Sequence, residues 1–163
     1  GVPSMERKRV WSTDLTYVRL RRGFFYLVAE IDWFSRFVLS WEVATSLEAS
    51  FCIEALDRAL AGGSGRPQVF NSDQGAQFTS VDFTARLLSH EIKISMDGRG
   101  RALDNIFVER LWRSVKQEEV YIRDYQTTEE AVSSLGRYFD FYNHRRLHQS
   151  LAYKTPAAVY WQT

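Results

Sequence analysis

Three acidic residues occupy positions from which they could do chemistry together: Asp14, Asp73 and Glu109. Asp14 stands among Trp11, Thr13, Leu15 and Tyr17, a β-branched and aromatic stretch that reads as a strand. A carboxylate inside a strand is costly to bury unless it is paired or binds a metal. Asp73 sits in the polar loop Asn71-Ser72-Asp73-Gln74-Gly75, just after a short apolar run, and Glu109 falls early in a long helix candidate. If the strands leading to Asp14 and Asp73 are neighbours, the two carboxylates stand side by side, and the helix can bring Glu109 against both. Three converging carboxylates repel one another, and a divalent cation removes that cost. Oxygen-only ligation with room for water suits Mg²⁺ or Mn²⁺. Two such ions about 3.5–4 Å apart can activate an attacking oxygen and stabilise the leaving oxygen of a phosphodiester. The opposing reading has Asp14 facing solvent from one side of its strand. Spacing alone does not decide, because Asp82 and Glu118 repeat the spacing of Asp73 and Glu109. Asp82 falls near a helix start, where an acid complements the dipole. Asp73 lies in a Gly-containing loop after a strand, where sites commonly sit.

The elements that must position these acids change period along the chain. Val10 to Leu20, Phe24 to Ile31 and Phe37 to Val43 read as strands joined by Arg21-Arg22-Gly23 and Asp32 to Arg36, which predicts an antiparallel meander. Ser46 then caps a predicted helix with Leu47, Ile53, Leu56 and Leu60 on its buried face, ended by Gly62-Gly63-Ser64-Gly65. Gln68 to Phe70 is a short strand, Ser80 to Leu88 a helix, Ile92 to Ser95 a strand, and Asp97 to Arg101 a basic loop. Asp104 to Val120 reads as one long helix. Thr127 or Thr128 caps another that runs to about Tyr142, and Asn143 to Thr163 reads as irregular, broken at Pro156. The expected fold is α/β: a five-stranded mixed sheet, three antiparallel strands then two parallel, flanked by helices. Residues 1–5 read as an expression remnant, 6–142 as the core and 143–163 as a C-terminal tail.

Composition narrows the classes. The chain has 163 residues, 45% hydrophobic and 25% charged, which excludes wholesale disorder. The longest apolar run, Phe24 to Ala29, is too short to span a bilayer. The lone Cys52 excludes an intrachain disulfide framework and cysteine-rich zinc sites, and a reducing, cytoplasmic setting is expected. Net charge is +1, but an acidic middle (five basic residues against nine acids over 31–97) lies between basic ends. That pattern fits clustered carboxylates beside a phosphate-contacting surface, or ordinary solvated charge.

Several further side chains are candidates. Arg113 and Lys116 follow Glu109 at i+4 and i+7, close to its helical face, where they would contact phosphates, or pair with Glu109. Gln77 either touches a nucleic acid near the site or caps its loop. Asn105 either caps or braces the helix. Asp32 is expected to brace a turn with Ser35 or Arg36. His144 and His148 have i, i+4 spacing, but no third ligand is evident and zinc is not expected. Arg145 and Arg146 fit either DNA backbone contact or charge complementation at a helix C-terminus. The loop from Arg99 to Arg101 reads either as a mobile DNA-contacting element or as a disordered linker, and Trp33, Phe37 and Trp41 are expected in the core.

The segments Val10-Trp11-Ser12-Thr13-Asp14-Leu15-Thr16-Tyr17, Asp32-Trp33-Phe34-Ser35-Arg36 and Ser72-Asp73-Gln74-Gly75-Ala76-Gln77-Phe78 carry a family resemblance. So do Asp104-Asn105, Glu109-Arg110-Leu111-Trp112 to Lys116, Tyr142-Asn143-His144-Arg145-Arg146-Leu147-His148-Gln149-Ser150-Leu151 and Thr155-Pro156-Ala157. In this order they resemble the catalytic core of the insertion-sequence DDE transposases of the IS-three-like group and, more distantly, retroviral integrases. One departure is the bulky Ile106-Phe107-Val108, where many relatives carry small residues. The resemblance implies a ribonuclease H-like fold and a metal-binding catalytic triad of Asp14, Asp73 and Glu109, beside which Gln77, Arg113, Lys116, His144, Arg145 and Arg146 are candidate DNA contacts. It implies Mg²⁺- or Mn²⁺-dependent cleavage and joining of DNA, with two ions. Expected partners are transposon-end and target DNA, further copies of the chain, and an N-terminal helix-turn-helix region or companion protein. The alternatives are a ribonuclease H-like nuclease without joining, separated by a strand-transfer assay, and a non-catalytic DNA-binding module, separated by divalent-ion binding.

Overall fold

The computed structural model describes residues 9–63, 65–96 and 106–162. The expectations for Gly1 to Met5, for the loop at Arg99 and Arg101, and for Asp104 and Asn105 lie outside these residues.

Strands β1 (Val10–Arg19), β2 (Phe24–Asp32) and β3 (Val38–Ala44) form the meander. Gly23, at φ +86°, makes the first turn in a conformation that disfavours a Cβ. In the second turn the Asp32 carboxylate accepts from the Ser35 amide (2.9 Å) and hydroxyl (2.7 Å), the bracing role expected for it. Strand β4 (Val69–Ser72) then pairs parallel to β1, and β5 (Lys93–Met96) parallel to β4. The sheet order is β3-β2-β1-β4-β5, the expected mixed arrangement.

Alternation of side chains across the sheet produces two cores. On one face Phe25, Leu27, Ala29 and Ile31 meet α4 (Ile106–Val115) and α5 (Thr128–His144). On the other Trp11, Val28 and Phe70 meet α1 (Ala49–Leu60), the single turn α2 (Ala76–Thr79) and α3 (Val81–Ser89). Helix α1 starts three residues after the expected cap: Ser46 and Leu47 are exposed, and Glu48 takes the cap position without a side-chain bond. Its buried face is Phe51, Cys52, Ala55, Leu56 and Ala59, because small residues let the helix lie close on the sheet.

The expected single helix to Val120 instead changes register. After Val115 it widens into a π-helical turn, Lys116–Val120, closed by Tyr121 N–H donating to the Lys116 carbonyl (2.8 Å). The widened turn carries Glu119 into the interior, where it accepts from Tyr125 Oη (2.5 Å) and from the Ser134 hydroxyl. Glu118, beside it, accepts from Arg146 Nε (2.8 Å) and Nη2 (2.6 Å) and from Tyr138 Oη (2.8 Å). These two acids tie the end of α4 to α5 and to the segment beyond it.

Helix α5, capped by Thr127 on the Glu130 amide (3.1 Å), runs to His144. Its Asn143 amide accepts from the Val38 N–H (2.8 Å) and donates to the Val38 carbonyl (3.0 Å), imitating a neighbouring strand at the start of edge strand β3. The tail is not irregular: a 3₁₀ turn, Gln149–Leu151, precedes α6 (Pro156–Tyr160). Pro156 opens that helix at its first turn, where its missing N–H costs nothing, and Thr155 caps it. Trp33, Phe37 and Trp41, expected in the core, are half-buried. Each is covered by a ring from a later element: Phe107, Tyr160 and Phe139 respectively. Among the described residues no helix is long and apolar enough to cross a membrane.

Candidate metal centre and nucleic-acid interface

Strand register brings two of the acids together. β1 and β4 pair from Val10↔Val69 to Ser12↔Asn71. Asp14 and Asp73 lie the same two residues beyond the last pair, so parallel strands deliver them side by side. β4 ends at Ser72 while β1 continues to Arg19, so the two acids stand at the carboxyl end of β4. In open α/β sheets ligands bind outside the carboxyl ends of the strands.

The pair is electrostatically frustrated. Burial pushes the Asp14 carboxyl from its ordinary 3.8 up to about 7. Asp73 adds to the rise by repelling the charged form and by hydrogen bonding with the neutral one, while the Leu15 amide and the Trp112 indole act against it. Trp112 Nε1 donates to Asp14 Oδ2 at 3.3 Å from the second turn of α4. Asp73 is held by its own loop, its Oδ1 accepting from the Gly75 N–H at 2.8 Å. A Cβ on Gly75 would stand 2.9 Å from that oxygen and 3.1 Å from Gln77 Oε1, so only glycine leaves both side chains in place. Gln77 Oε1 therefore lies beside Gly75.

Glu109 is exposed in the first turn of α4, one helical turn before Trp112. Among the described residues no group of three His, Cys, Asp or Glu lies close enough to hold one ion, so the structure joins Asp14 to Asp73 and leaves Glu109 outside that pair. Cys52, on the opposite core, is buried, and its thiol is pushed up to about 12 by burial and by the charges of Glu30 and Asp73, which makes it unreactive.

Residues 5–102 match the family described as Integrase core domain, and residues 90–156 match a second family of the same description. The chain belongs to the integrase core domain family. A transposase for insertion sequence element IS629 from Shigella sonnei is 30% identical over 149 residues, covering 91% of this chain and 50% of that protein. Transposase InsF for insertion sequence IS3A from Escherichia coli K12 is 32% identical over 141 residues, covering 85% and 49%. The chain thus spans about half the length of the curated transposases it matches. Among solved structures, the HTLV-2 integrase catalytic core domain in complex with magnesium superposes with a TM-score of 0.74 at 21% identity, covering 94% of this chain and 96% of that one. A simian T-cell lymphotropic virus intasome, solved in complex with PP2A regulatory subunit B56 gamma, gives 0.79 at 21% identity, covering 96% and 55%. The fold of this integrase core is ribonuclease H-like.

The remaining candidates of the integrase core divide by environment. Arg113 is exposed on α4 and forms no ion pair with Glu109. Lys116 turns toward β1, donating to the Tyr17 carbonyl with its ammonium 5.4 Å from the Tyr17 ring centre, and burial lowers its pKa. Arg146 is committed to Glu118, Arg145 is exposed over the Phe141 ring, and His144 meets the edge of Phe37. His148 lies past the end of α5 against Tyr142, so it does not share a helical face with His144. Sequence reasoning assigned no role to Trp112 or Gly75. Trp112 could have been found from its i+3 spacing to Glu109, and Gly75 from its place in the Asp73 loop.

Proposed function

We propose that this chain is the catalytic core of a DDE-type transposase, cutting DNA at transposon ends and joining the freed 3′-hydroxyl to another strand. The observation that carries the proposal is the Asp14–Asp73 pair, set side by side by parallel strands with the Asp14 carboxyl raised by burial and by its neighbour. Such a pair is two hard oxygen donors with unmet negative charge, which fits Mg²⁺ or Mn²⁺. Asp14, Asp73 and Glu109 would be the residues that hold the divalent ions. When bound, the ions supply Lewis acidity to the attacking and leaving oxygens of the phosphodiester.

The chain's own residues supply position. Trp112 and the Leu15 amide hold the Asp14 carboxyl, and the Gly75 amide holds one oxygen of Asp73. Glu109 and Arg113 stand exposed on the helix that carries Trp112, where they can meet an incoming strand. The active assembly would contain several copies of the chain together with an end-recognition region or protein.

Replacing Glu109 by Gln tests the reading. Cleavage of a labelled transposon-end duplex in Mg²⁺ should fall at least about 10³-fold, the scale of losing one charge-stabilising group in a reaction site, while thermal unfolding is unchanged. Near-normal cleavage by the variant would sink the reading. Hydrolysis of precleaved ends without strand transfer would identify a nuclease instead.

A further inference from the structure

Helix α4 opens with three bulky residues, Ile106, Phe107 and Val108, and of these only Val108 is fully buried in the core. Phe107 goes elsewhere. Its ring meets the β2–β3 turn, where the Trp33 ring centre lies 5.2 Å away and the Arg36 guanidinium carbon stands 4.0 Å from the Phe107 ring centre. A guanidinium over an aromatic ring is attracted by the negative face of the ring as well as by packing. Neither partner is a loose surface side chain. The Asp32 carboxylate accepts from the Ser35 amide and hydroxyl, the Arg36 N–H donates to the Asp32 carbonyl (2.8 Å), and the Trp33 N–H donates to the Val10 carbonyl of β1 (2.9 Å). Arg36 sits at φ +66°, a left-handed conformation that a residue with a Cβ adopts at a cost, and its guanidinium donates to the Trp33 and Phe34 carbonyls. The turn is a fixed seat, and its left-handed residue is the one whose side chain reaches Phe107.

A second contact holds the same helix on another flank: Trp112 Nε1 donates to Asp14 Oδ2 at 3.3 Å. At about 100° per residue, Phe107 and Trp112 lie about 140° apart around the α4 axis, and Glu109 lies about 60° from Trp112. Val108, Leu111 and Val115 bury apolar area against the sheet, but that force is non-directional and does little to fix rotation. Contacts on two flanks do fix it. Side chains stand about 5–6 Å from a helix axis, so a rotation of about 10° carries a group at position 109 through about 1 Å. A misplacement of about 1 Å can cost about 10²-fold in rate.

We propose that Phe107, gripped by Trp33 and Arg36 of the β2–β3 turn, is a positioning residue that acts with Trp112 to fix the rotation of α4, and hence where Glu109 stands relative to the Asp14–Asp73 pair. This rests on the reading of Glu109 as part of a DNA-cleaving site. Phe107 lies about 160° around the helix from Glu109, so it acts through the backbone of α4.

The test measures cleavage of a labelled transposon-end duplex in Mg²⁺ alongside hydrogen exchange of the metal-free protein. Phe107→Ala should lower kcat about 10- to 100-fold with KM for the duplex within about threefold. It should speed exchange of the Arg110, Leu111 and Trp112 amides about tenfold or more, while α5 amides such as that of Leu135 keep their protection. Phe107→Tyr, which keeps a ring for both partners, should hold kcat within about threefold of wild type. Arg36→Gly tests the grip from the turn without touching α4: glycine suits φ +66° and removes the guanidinium, and kcat should fall. In that background Phe107→Ala should cost at least about threefold less in kcat than it does alone, because both substitutions break one contact. With an active wild type, unchanged kcat or unchanged α4 exchange in Phe107→Ala, effects of the two substitutions that simply multiply, or faster cleavage by either variant would overturn the grip and leave the proposed function standing. Equal loss of protection in α4 and α5 would overturn it too, by reducing Phe107 to a contributor to stability. Failure of the wild type to cleave any duplex would instead refute the proposed function, and the positioning role with it.

Discussion

Replacing Asp14 by Asn should stabilise the metal-free protein, and only above acidic pH. The Asp14 carboxyl titrates near 3.8 in an ordinary setting and about 7 in the fold, because burial and Asp73 oppose its charge. A raised carboxyl costs stability as pH climbs. Below about pH 4 the acid is protonated in both folded and unfolded chains, so it contributes nothing. Between about pH 4 and 7 the unfolded chain ionises and the folded one resists, and above 7 the full penalty is present. A gap of about 3 units corresponds to about 4 kcal/mol, and solvent at the partly exposed carboxylate reduces the observable to about 2–4 kcal/mol. Asparagine keeps an oxygen to accept from Trp112 and Leu15 and supplies an N–H toward Asp73, so little else changes. Urea unfolding with EDTA should therefore show Asp14→Asn about 2–4 kcal/mol more stable than wild type at pH 8, and equal to it near pH 3.5. Adding Mg²⁺ should narrow the gap by stabilising the wild type alone. A variant no more stable than wild type at pH 8, or a gap independent of pH, would refute the electrostatic account of the pair.

Two further perturbations probe the supports. Gly75→Ala places a Cβ 2.9 Å from Asp73 Oδ1 at a backbone conformation alanine tolerates, so divalent-ion-dependent cleavage should fall about 10²-fold with under about 1 kcal/mol lost in stability. Full activity in that variant would show that the Asp73 oxygen is not held in place by its loop. Asn143→Ala leaves the Val38 N–H and carbonyl unpaired in a buried setting and should cost about 2–4 kcal/mol in chemical unfolding, whereas Asn143→Gln should recover little because its longer side chain misses the register. A loss below about 0.5 kcal/mol would mean that water replaces both bonds.

Much of this site was legible because strands dictate it. The aromatic and β-branched run around Asp14, the turn braced by Asp32, and the strand-loop order before Asp73 follow from local chemistry, and the meander fixes which strand lies next to which. The misses share a different origin. Ser46 has the right residue type for a cap, but α1 begins where Phe51 and Cys52 can first reach the sheet, a tertiary constraint. The π-helical turn at Lys116–Val120 is set by Glu118 and Glu119 finding partners on α5 and beyond it, Arg146 being 28 residues away. Pro156 was read as a breaker, although at a first turn it starts a helix. Arg36 and Phe107 are far apart in sequence, and only the packing of α4 on the sheet brings them into contact. Glu109 illustrates the limit of spacing: its helix packs against β1, yet its side chain remains exposed and among the described residues no third acid joins Asp14 and Asp73.

The most direct test of the central claim is anomalous diffraction from crystals of the protein soaked in Mn²⁺. The Asp14–Asp73 pair predicts a peak shared by the two carboxylates in the wild type and none at that position in Asp73→Asn. A wild-type crystal with no manganese between these carboxylates, at concentrations that load other oxygen sites in the same lattice, would contradict it.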